Sequence, residues 1–234
     1  MTPAPSGVVR PRLPLELLSC YEEQLEEYKR KVGWEELAEE ELWGELCFCI
    51  LSSNVPYAMA SSAYVQLLRR GLLEIETLGR SGSRAIWREL SRPVYYPERN
   101  DGSFRVYRFP HRRATDITSA WHYFYRQNSG LASLLKRADS PTVLRSRLVA
   151  DVPGLGLKEA SHFLRNVKYT DCIAVLDSHV VSFLKSYVRS TVRFQTLTPR
   201  RYLELEAIFV NFAREASLRP AILDLAVWEY MRFS

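Results

Sequence analysis

Hydrophobic residues recur along most of the chain at the three- and four-residue spacing of a helix that buries one face. Leu18, Tyr21, Leu25 and Tyr28 form such a stripe, and Gly33 marks the end of this first helix. The same spacing, with Ser, Thr, Pro or Gly at several boundaries, predicts further helices over residues 40–52, 56–70, 114–125, 199–215 and 220–230. The chain shows no internal repeat. We therefore predict a mainly α-helical protein.

One segment departs from the helical spacing. Residues 94–109 place the turn sequence Asn-Asp-Gly between two stretches that are rich in Tyr, Val, Phe and Arg. This pattern predicts a small β-hairpin. The second arm leads into a basic run that contains Arg112 and Arg113. Two interpretations of the alternating basic and aromatic residues are open, a solvated face with extended arginines and a contact with a DNA backbone.

Composition limits the class of protein. With 234 residues and 47% hydrophobic content, the chain can bury a core as one globular unit or two small subdomains. Its apolar runs are shorter than the roughly 20 residues that span a bilayer, so a soluble protein with no membrane partner is expected. Residues 1–14 are rich in proline and small residues and lack the apolar stretch of a secretory signal. We interpret them as a short flexible leader.

Cysteine usage and charge add two expectations. The four cysteines are irregularly spaced, which favours reduced thiols in an intracellular protein of the cytoplasm or nucleoid. No cysteine follows Cys172, so a four-cysteine iron–sulfur or zinc cluster near the C-terminus is excluded, and no metal or cofactor is expected. A net charge of +5 and an isoelectric point near 9.0 fit a polyanionic partner, although many proteins with this balance bind none.

The segment at residues 148–164 carries the most chemistry. A short helix ends, Pro-Gly-Leu-Gly forms a tight turn, and a second helix begins near Lys158. Gly154 and Gly156 permit backbone shapes that other residues disfavour, and they leave bare amides at a helix N-terminus, which is a typical phosphate site. Main-chain donors are therefore predicted to hold a DNA strand while the next turn of helix aims Lys158 at a sugar.

Lys158 and Asp177 form a candidate catalytic pair. Lys158 lies where the positive end of the helix dipole disfavours a second positive charge, and an unprotonated lysine is a nucleophile. Asp177 ends an apolar run just before another helix, so it can cap that helix and still face the lysine. A carboxylate stabilises a sugar that develops positive charge. Alone, Lys158 could be a phosphate contact and Asp177 only a cap, but the combination favours catalysis.

A family resemblance rests on these residues. Residues 152–166, Val-Pro-Gly-Leu-Gly-Leu-Lys-Glu-Ala-Ser-His-Phe-Leu-Arg-Asn, followed by Leu-Asp-Ser-His at 176–179, resemble the helix-hairpin-helix signature of 8-oxoguanine DNA glycosylase/lyases, especially the compact archaeal and thermophile branch. Weaker likeness extends to residues 45–54 and 108–114. The resemblance implies a bifunctional enzyme of base excision repair. In it, Lys158 attacks the sugar C1′, expels the oxidised guanine as a Schiff base forms, and promotes strand cleavage by β-elimination.

The resemblance also implies a DNA interface. Asn54 matches the position that fills the gap left by the flipped nucleotide, and His179 matches one that touches a phosphate. The open alternatives are a helix cap for Asn54 and a surface histidine for His179. Arg112 and Arg113 are expected to contact the DNA backbone. The implied partner is double-stranded DNA that contains an oxidised base, bound by a monomer.

A pocket for the flipped base is predicted near the C-terminus. Asp224 and Trp228 are spaced i, i+4 and share one helix face, so the carboxylate could accept from the base edge while the indole stacks on the ring. The alternative is a core tryptophan and a buried aspartate that caps or pairs. Compact relatives commonly end in a lysine whose terminal carboxylate helps to recognise the base, whereas this chain ends in Ser234. That carboxylate is the third candidate for the pocket.

Together these patterns predict an all-α, two-lobed helix-hairpin-helix DNA glycosylase fold with a small β-hairpin near residues 94–109. Four segments are expected: an N-terminal helix (1–35) that packs with the C-terminal lobe, a helical lobe (36–140), the helix-hairpin-helix with the catalytic aspartate (141–188), and C-terminal helices (189–234) that complete the second lobe and the base pocket. Two other functions stay open, the same mechanism on a different damaged base and a non-enzymatic DNA-binding module.

Overall fold

The structure is a computed structural model that describes residues 13–98, 102–187 and 197–233. Within these residues the chain forms eleven α-helices and two short strands: α1 Leu15–Arg30, α2 Glu39–Leu51, α3 Tyr57–Arg69, α4 Ile75–Leu90, β1 Pro93–Glu98, β2 Phe104–Val106, α5 Pro110–His122, α6 Leu131–Lys136, α7 Pro141–Asp151, α8 Leu157–Asn166, α9 Ser178–Tyr187, α10 Pro199–Glu215 and α11 Pro220–Phe233. A π-helical turn, Tyr123–Gln127, continues α5. The predicted all-α class with one small hairpin is confirmed.

The chain divides into two compact units. The terminal unit comprises Met1–Lys31 and Thr170–Ser234, and the central unit comprises Val32–Tyr169. The helix-hairpin-helix thus belongs to the central unit, and the Asp177 segment belongs to the terminal unit. The four segments predicted from the sequence divide the chain more finely, and they stay predictions.

Helix α2 is the centre of the central unit. Its apolar residues surround the helix axis, a pattern typical of a helix that is covered on all sides, and it packs against α3, α5, α6 and α8. Trp43 is buried there, and its indole Nε1 donates to the carbonyl of Leu73 at 2.8 Å. A buried indole N–H that has found an acceptor fixes the orientation of its ring. Helix α2 is therefore a firm support for α8, which carries Lys158.

Helix α11 is the centre of the terminal unit, where it packs against α1, α9 and α10. The amide of Arg219, just before α11, donates to the Tyr21 hydroxyl of α1 at 3.0 Å. Further along, Gln24 Nε2 donates to Glu229 at 2.8 Å. These two polar contacts fasten neighbouring positions of α1 to α11 and to the residue before it. No helix in the described part of the chain is long and apolar enough to span a membrane.

The predicted hairpin is present. Strands β1 and β2 pair antiparallel, with Pro93 opposite Val106 and an irregularity between Val94 and Glu98. Residues 99–101, which include most of the predicted turn, lie outside the described residues. The side chains of β2 are exposed, but Tyr107 directly after it is buried and donates its hydroxyl to the carbonyl of Leu51 at 2.6 Å. This bond anchors the base of the hairpin to the end of α2.

Candidate active site

The turn between α7 and α8 requires glycine at residue 154. Gly154 has φ +86°, in the left-handed region that other residues adopt only at a cost. A Cβ at this position would also lie 2.8 Å from Cβ of Asp116 on α5, closer than two carbon atoms can approach. The turn therefore packs directly against α5, and the glycine permits both the conformation and the contact.

Substituting Gly154 tests this double requirement. We expect Gly154→Ala to lower the free energy of unfolding by about 3 kcal/mol, because left-handed strain and overpacking add. The control Gly102→Ala has a similar φ, +78°, but open space around its Cβ, and should cost only ~1 kcal/mol. Urea denaturation measures both. Equal losses would mean that the Asp116 side chain simply moves away.

The amides of the turn are not equally available. The Gly156 amide donates to Oε2 of Glu159 at 3.2 Å, so it is already bonded inside the protein. The Gly154 amide has no hydrogen-bond partner among the described residues. The first amides of α8, those of Leu157 and Lys158, lack acceptors within their own helix, as in any helix. The expectation that both glycine amides are bare thus holds for Gly154 and is wrong for Gly156.

Lys158 lies in the first turn of α8 with its side chain 28% exposed. Its ammonium nitrogen Nζ is 3.9 Å from Oε1 of Glu159, a long contact, and this is its ion pair within the described part of the chain. The Glu159 carboxylate therefore has two roles. One oxygen fixes the turn through Gly156, and the other faces the amine.

A polar cluster lies where α8 packs against α2. Oε1 of Glu45 accepts from Asn166 at 2.7 Å and from the Cys49 thiol at 3.6 Å. Burial, followed by the nearby Glu45 carboxylate, raises the pKa of Cys49 well above its usual value, so this thiol stays protonated. Burial, followed by the charges of Arg165 and Lys158, holds the pKa of His162 well below its usual range. Neither group adds a charge beside the lysine at neutral pH.

Asn54 is displayed on an exposed turn after α2. Its φ of +58° is left-handed, a conformation that asparagine tolerates better than most residues. Helix α3 has Pro56 at its N-cap and no side-chain cap, so the alternative of Asn54 as a helix cap is not what the structure has. The buried Arg113 side chain fastens this turn, because its guanidinium donates to the carbonyl of Ser53 at 3.0 Å.

Arg112 and Arg113 are placed differently. The Arg112 side chain is 72% exposed, and its ion-pair contact among the described residues is a long one, 3.9 Å to Asp116. Arg113 is 2% exposed, and besides Ser53 it binds Oδ2 of Asp116 at 2.7 Å. A guanidinium committed to internal partners offers nothing to solvent. Contact with a DNA backbone therefore stays a prediction for Arg112, whereas Arg113 supports the Asn54 turn.

In the terminal unit, Asp177 caps α9. Its Oδ1 accepts from the amides of His179 and Val180, both at 2.9 Å, which satisfies two of the donors that begin the helix. The other oxygen, Oδ2, has no partner in the part of the chain that the structure describes. Oδ1 therefore has a structural role as the helix cap, and Oδ2 is available for chemistry.

The segment before Asp177 is fastened by three buried side chains. The amide of Ala174 donates to Glu206 at 3.2 Å, that of Val175 to Oδ2 of Asp224 at 2.6 Å, and that of Leu176 to the hydroxyl of Tyr202 at 3.1 Å. The acceptors come from α10 and α11. Each successive amide thus has its own acceptor, and the Asp177 backbone is held in one position.

The position of Asp224 matches one feature of the buried alternative, and its role in the base pocket stays a prediction. Its carboxylate is 1% exposed and accepts a main-chain N–H, which is the buried-cap alternative. Trp228 is only partly buried. Its ring meets the edge of His179 at 6.3 Å between centroids, and the Arg232 guanidinium lies 5.2 Å from its centre. His179 is thus in contact with an aromatic ring rather than isolated on the surface. Ser234 lies outside the described residues.

The sequence model of a family described as 8-oxoguanine DNA glycosylase matches residues 100–218. A protein of Methanocaldococcus jannaschii named 8-oxoguanine DNA glycosylase/AP lyase is 30% identical over 219 residues, which cover 93% of this chain and 91% of the relative. The chain belongs to the 8-oxoguanine DNA glycosylase family. A family member of the same name from Metallosphaera sedula is 31% identical over 195 residues, or 82% of each chain.

Solved structures of the family agree. The structure of the Methanocaldococcus jannaschii 8-oxoguanine glycosylase/lyase in complex with a 15mer DNA containing 8-oxoguanine matches with a TM-score of 0.69 at 26% identity. The match covers 93% of this chain and 91% of that one. The family and the helix-hairpin-helix glycosylase fold predicted from the sequence are therefore confirmed.

Several residues that support the site in this family member were not predicted from the sequence. Glu159 could have been recognised, because a glutamate three residues after the N-cap is the capping-box position. His162 could also have been noted, since i and i+4 share a helix face with Lys158. Tyr202 and Glu206 had no such signal, because their partners are distant in sequence. Among the described residues, no group of three or more His, Cys, Asp or Glu could hold a metal ion.

Proposed function

We propose that this protein is a bifunctional DNA glycosylase/AP lyase of base excision repair that excises 8-oxoguanine from duplex DNA. The observation that carries the proposal is Lys158, a partly exposed amine in the first turn of the helix that follows the Pro-Gly-Leu-Gly turn. The names of the relatives and the DNA-bound structure of one of them support the same activity. Its partner is accordingly DNA with an oxidised base.

The proposed reaction uses the amine twice. Attack of Nζ on C1′ forms a C–N bond, and the bond to the base breaks with its electron pair leaving on the base, which takes up a proton. Loss of a proton from nitrogen and opening of the sugar ring then give the Schiff base. Removal of a C2′ proton expels the 3′ phosphate by β-elimination. Lys158 therefore links base excision and strand cleavage through one covalent intermediate.

Asp177 is proposed as the electrostatic partner. The sugar gains positive charge as the base departs, and a fixed negative charge beside it stabilises that state. Oδ2 is the oxygen for this role, since Oδ1 is engaged by the amides of α9. The three bonds to residues 174–176 hold the carboxylate in place before the substrate arrives. Such preorganisation means that little reorganisation is needed during the reaction.

Backbone amides and a few side chains are proposed to hold the DNA. The free amide of Gly154 and the first amides of α8 form a site for phosphate at the positive end of a helix. Arg112 is exposed and would neutralise another phosphate. Asn54, on its exposed turn, is proposed to fill the gap left by the flipped nucleotide, and His179 to touch a phosphate near the lesion.

The base pocket is proposed to include Trp228, whose partly exposed indole could stack on the flipped base. Asp224 instead serves the pocket indirectly, since it binds the main chain at Val175. A role for the terminal carboxylate of Ser234 stays a prediction. The monomeric state and the intracellular location also stay predictions.

Borohydride trapping tests the proposed function. The protein is incubated with a duplex that contains 8-oxoguanine, and borohydride reduces the imine to a stable adduct that is visible on a denaturing gel. We expect the adduct with this duplex and none with an undamaged guanine duplex. Adduct formation on other damaged bases, but not on 8-oxoguanine, would favour the same mechanism on a different substrate. Binding without any adduct would instead indicate a non-enzymatic module.

A further inference from the structure

The second half of α4 exposes a tryptophan between arginines. Arg84, Trp87 and Arg88 are spaced i, i+3 and i+4, so they lie on one face, while Ile86 and Leu90 on the other face are buried. Trp87 is 43% exposed. A single exposed aromatic ring is common on protein surfaces, but one flanked by arginines combines the two features that bind nucleic acid, a stacking ring and positive charge.

Helix α5 extends this face. The ring of His111, in the first turn of α5, lies 5.8 Å from that of Trp87, edge to face. His111 is itself exposed, and Arg112 follows it. The first turn of α5 contains no acidic residue. We call Arg84, Trp87, Arg88 and His111 the Trp87 surface.

The arginine charges of the Trp87 surface are not neutralised by any other residue that the structure describes. Arg80, which precedes the non-helical Gly82 within α4, contacts Glu76, and Arg92 just after the helix pairs with Glu89. Arg84 and Arg88, by contrast, have no ion pair or hydrogen-bond partner within the described ranges. Two uncompensated arginines that flank an exposed indole complement a polyanion that also offers flat apolar groups. Nucleic acid has both properties.

The Trp87 surface also adjoins a proposed DNA-contact residue at the first turn of α5. Arg112 adjoins His111 in the sequence. Arg108, two residues before α5 begins, donates through Nη1 to the carbonyl of Asn54 at 3.5 Å. Asn54 is the residue proposed to enter the gap at the lesion. A duplex that contacts Asn54 would therefore lie near Arg108. Arg112 and the arginines of α4 would extend the basic contacts away from the lesion.

We propose that the Trp87 surface is an additional DNA-binding surface that holds the duplex beside the lesion. Arg84 and Arg88 neutralise backbone phosphates, and the indole of Trp87 packs against a deoxyribose of the same backbone. This inference rests on the proposed function, because it takes duplex DNA as the partner. The contacts are independent of sequence and of damage, since they reach the backbone rather than base edges.

Salt dependence measures the arginine contacts. The dissociation constant for an undamaged duplex is measured between low and moderate salt for the wild type and for the double variant Arg84→Ala/Arg88→Ala. Each lost phosphate contact reduces the magnitude of the slope of log K against log salt by about 0.9. The slope of the double variant should therefore be smaller in magnitude by nearly two. Arg200→Ala, which removes a 90% exposed arginine from the terminal unit, is the matched control and should leave the slope unchanged.

Trp87 is tested separately because it carries no charge. Trp87→Ala should weaken binding roughly tenfold while the salt slope stays as in the wild type, and Trp87→Phe should recover much of the loss. The expected loss is the same for damaged and undamaged duplexes. Circular dichroism of each variant establishes that the fold is retained, and the Phe variant keeps the test informative if the Ala variant unfolds.

The outcomes separate this inference from the proposed function. Borohydride trapping with saturating 8-oxoguanine duplex is performed on the same preparations. Adduct formation by the wild type together with an unchanged slope for Arg84→Ala/Arg88→Ala would overturn the Trp87 surface alone. A reduced slope with no adduct from any preparation would overturn the glycosylase mechanism and leave the surface in place. Weaker binding only to damaged DNA would contradict a backbone contact and overturn the inference.

Discussion

Lys158→Gln is expected to abolish the adduct that borohydride traps, and to slow base excision by about 10³-fold or more, because the variant has no amine to attack C1′. Binding to the duplex should change little, since the proposed phosphate grip uses main-chain amides around Gly154. Glutamine has a similar length and leaves the bond from Gly156 to Glu159 in place. The variant should therefore be folded, bind DNA and be inactive. Gel trapping, single-turnover excision and duplex titration measure the three properties.

Lys136→Gln is the matched control for this experiment. Lys136 is an exposed lysine at the end of α6 in the same central unit, and its replacement removes the same charge. It should form the adduct as the wild type does. The chain contains few lysines, so an adduct that survives in Lys158→Gln would point to one of a small number of amines, including the N-terminus. That result would contradict the assigned nucleophile.

Asp177→Asn is expected to slow excision of 8-oxoguanine by ~10²- to 10³-fold, the usual cost of removing one electrostatic stabiliser from an active site. Asparagine is as good an N-cap as aspartate, so the bonds from His179 and Val180 and the stability of α9 should persist. Single-turnover excision and thermal unfolding, measured on the same preparation, separate the lost charge from a lost cap.

A preformed abasic site distinguishes the step that Asp177 assists. There the base has already departed, so Lys158 can form the Schiff base without a developing sugar cation. We expect Asp177→Asn to be trapped on abasic DNA far more efficiently than on an 8-oxoguanine duplex. Asp177→Ala, which removes both the charge and the cap, should in addition unfold at lower temperature. Excision at the wild-type rate by Asp177→Asn, with loss only in Asp177→Ala, would leave Asp177 with a structural role alone.

Strongly periodic helices were predictable from the sequence, whereas an interrupted helix and a very short one were not. Helix α3 differs from its predicted range by one residue at each end. Helix α4 was missed because Gly79 and Gly82 interrupt its pattern. The structure explains the first of these glycines, since a Cβ at Gly79 would lie 2.7 Å from the ring of Trp121. Helix α6 was missed as well, because six residues are too few to show a period.

Within the candidate site, local features could be predicted and long-range ones could not. The cap at Asp177 and the tight turn at Gly154 follow from residue type and from neighbours in the sequence. The burial of Arg113 depends on Ser53, and the partner of Asp224 is the amide of Val175, both distant in the chain. No spacing rule reveals such partners. Charged residues that the sequence presents as ligands of DNA can therefore belong to the interior.

The hydrogen bonds that fasten residues 174–176 also determine when the segment before Asp177, here called the Asp177 loop, can open. Although these residues lack regular secondary structure, their amides are closed by acceptors on α10 and α11. Such amides exchange with solvent only when the elements that hold them separate. We therefore expect the loop to open only together with the C-terminal helices, as part of the same foldon. Its amides should show the hydrogen-exchange protection of a helical core rather than that of a surface connection, and the same opening reaction would limit the lifetime of a correctly placed carboxylate.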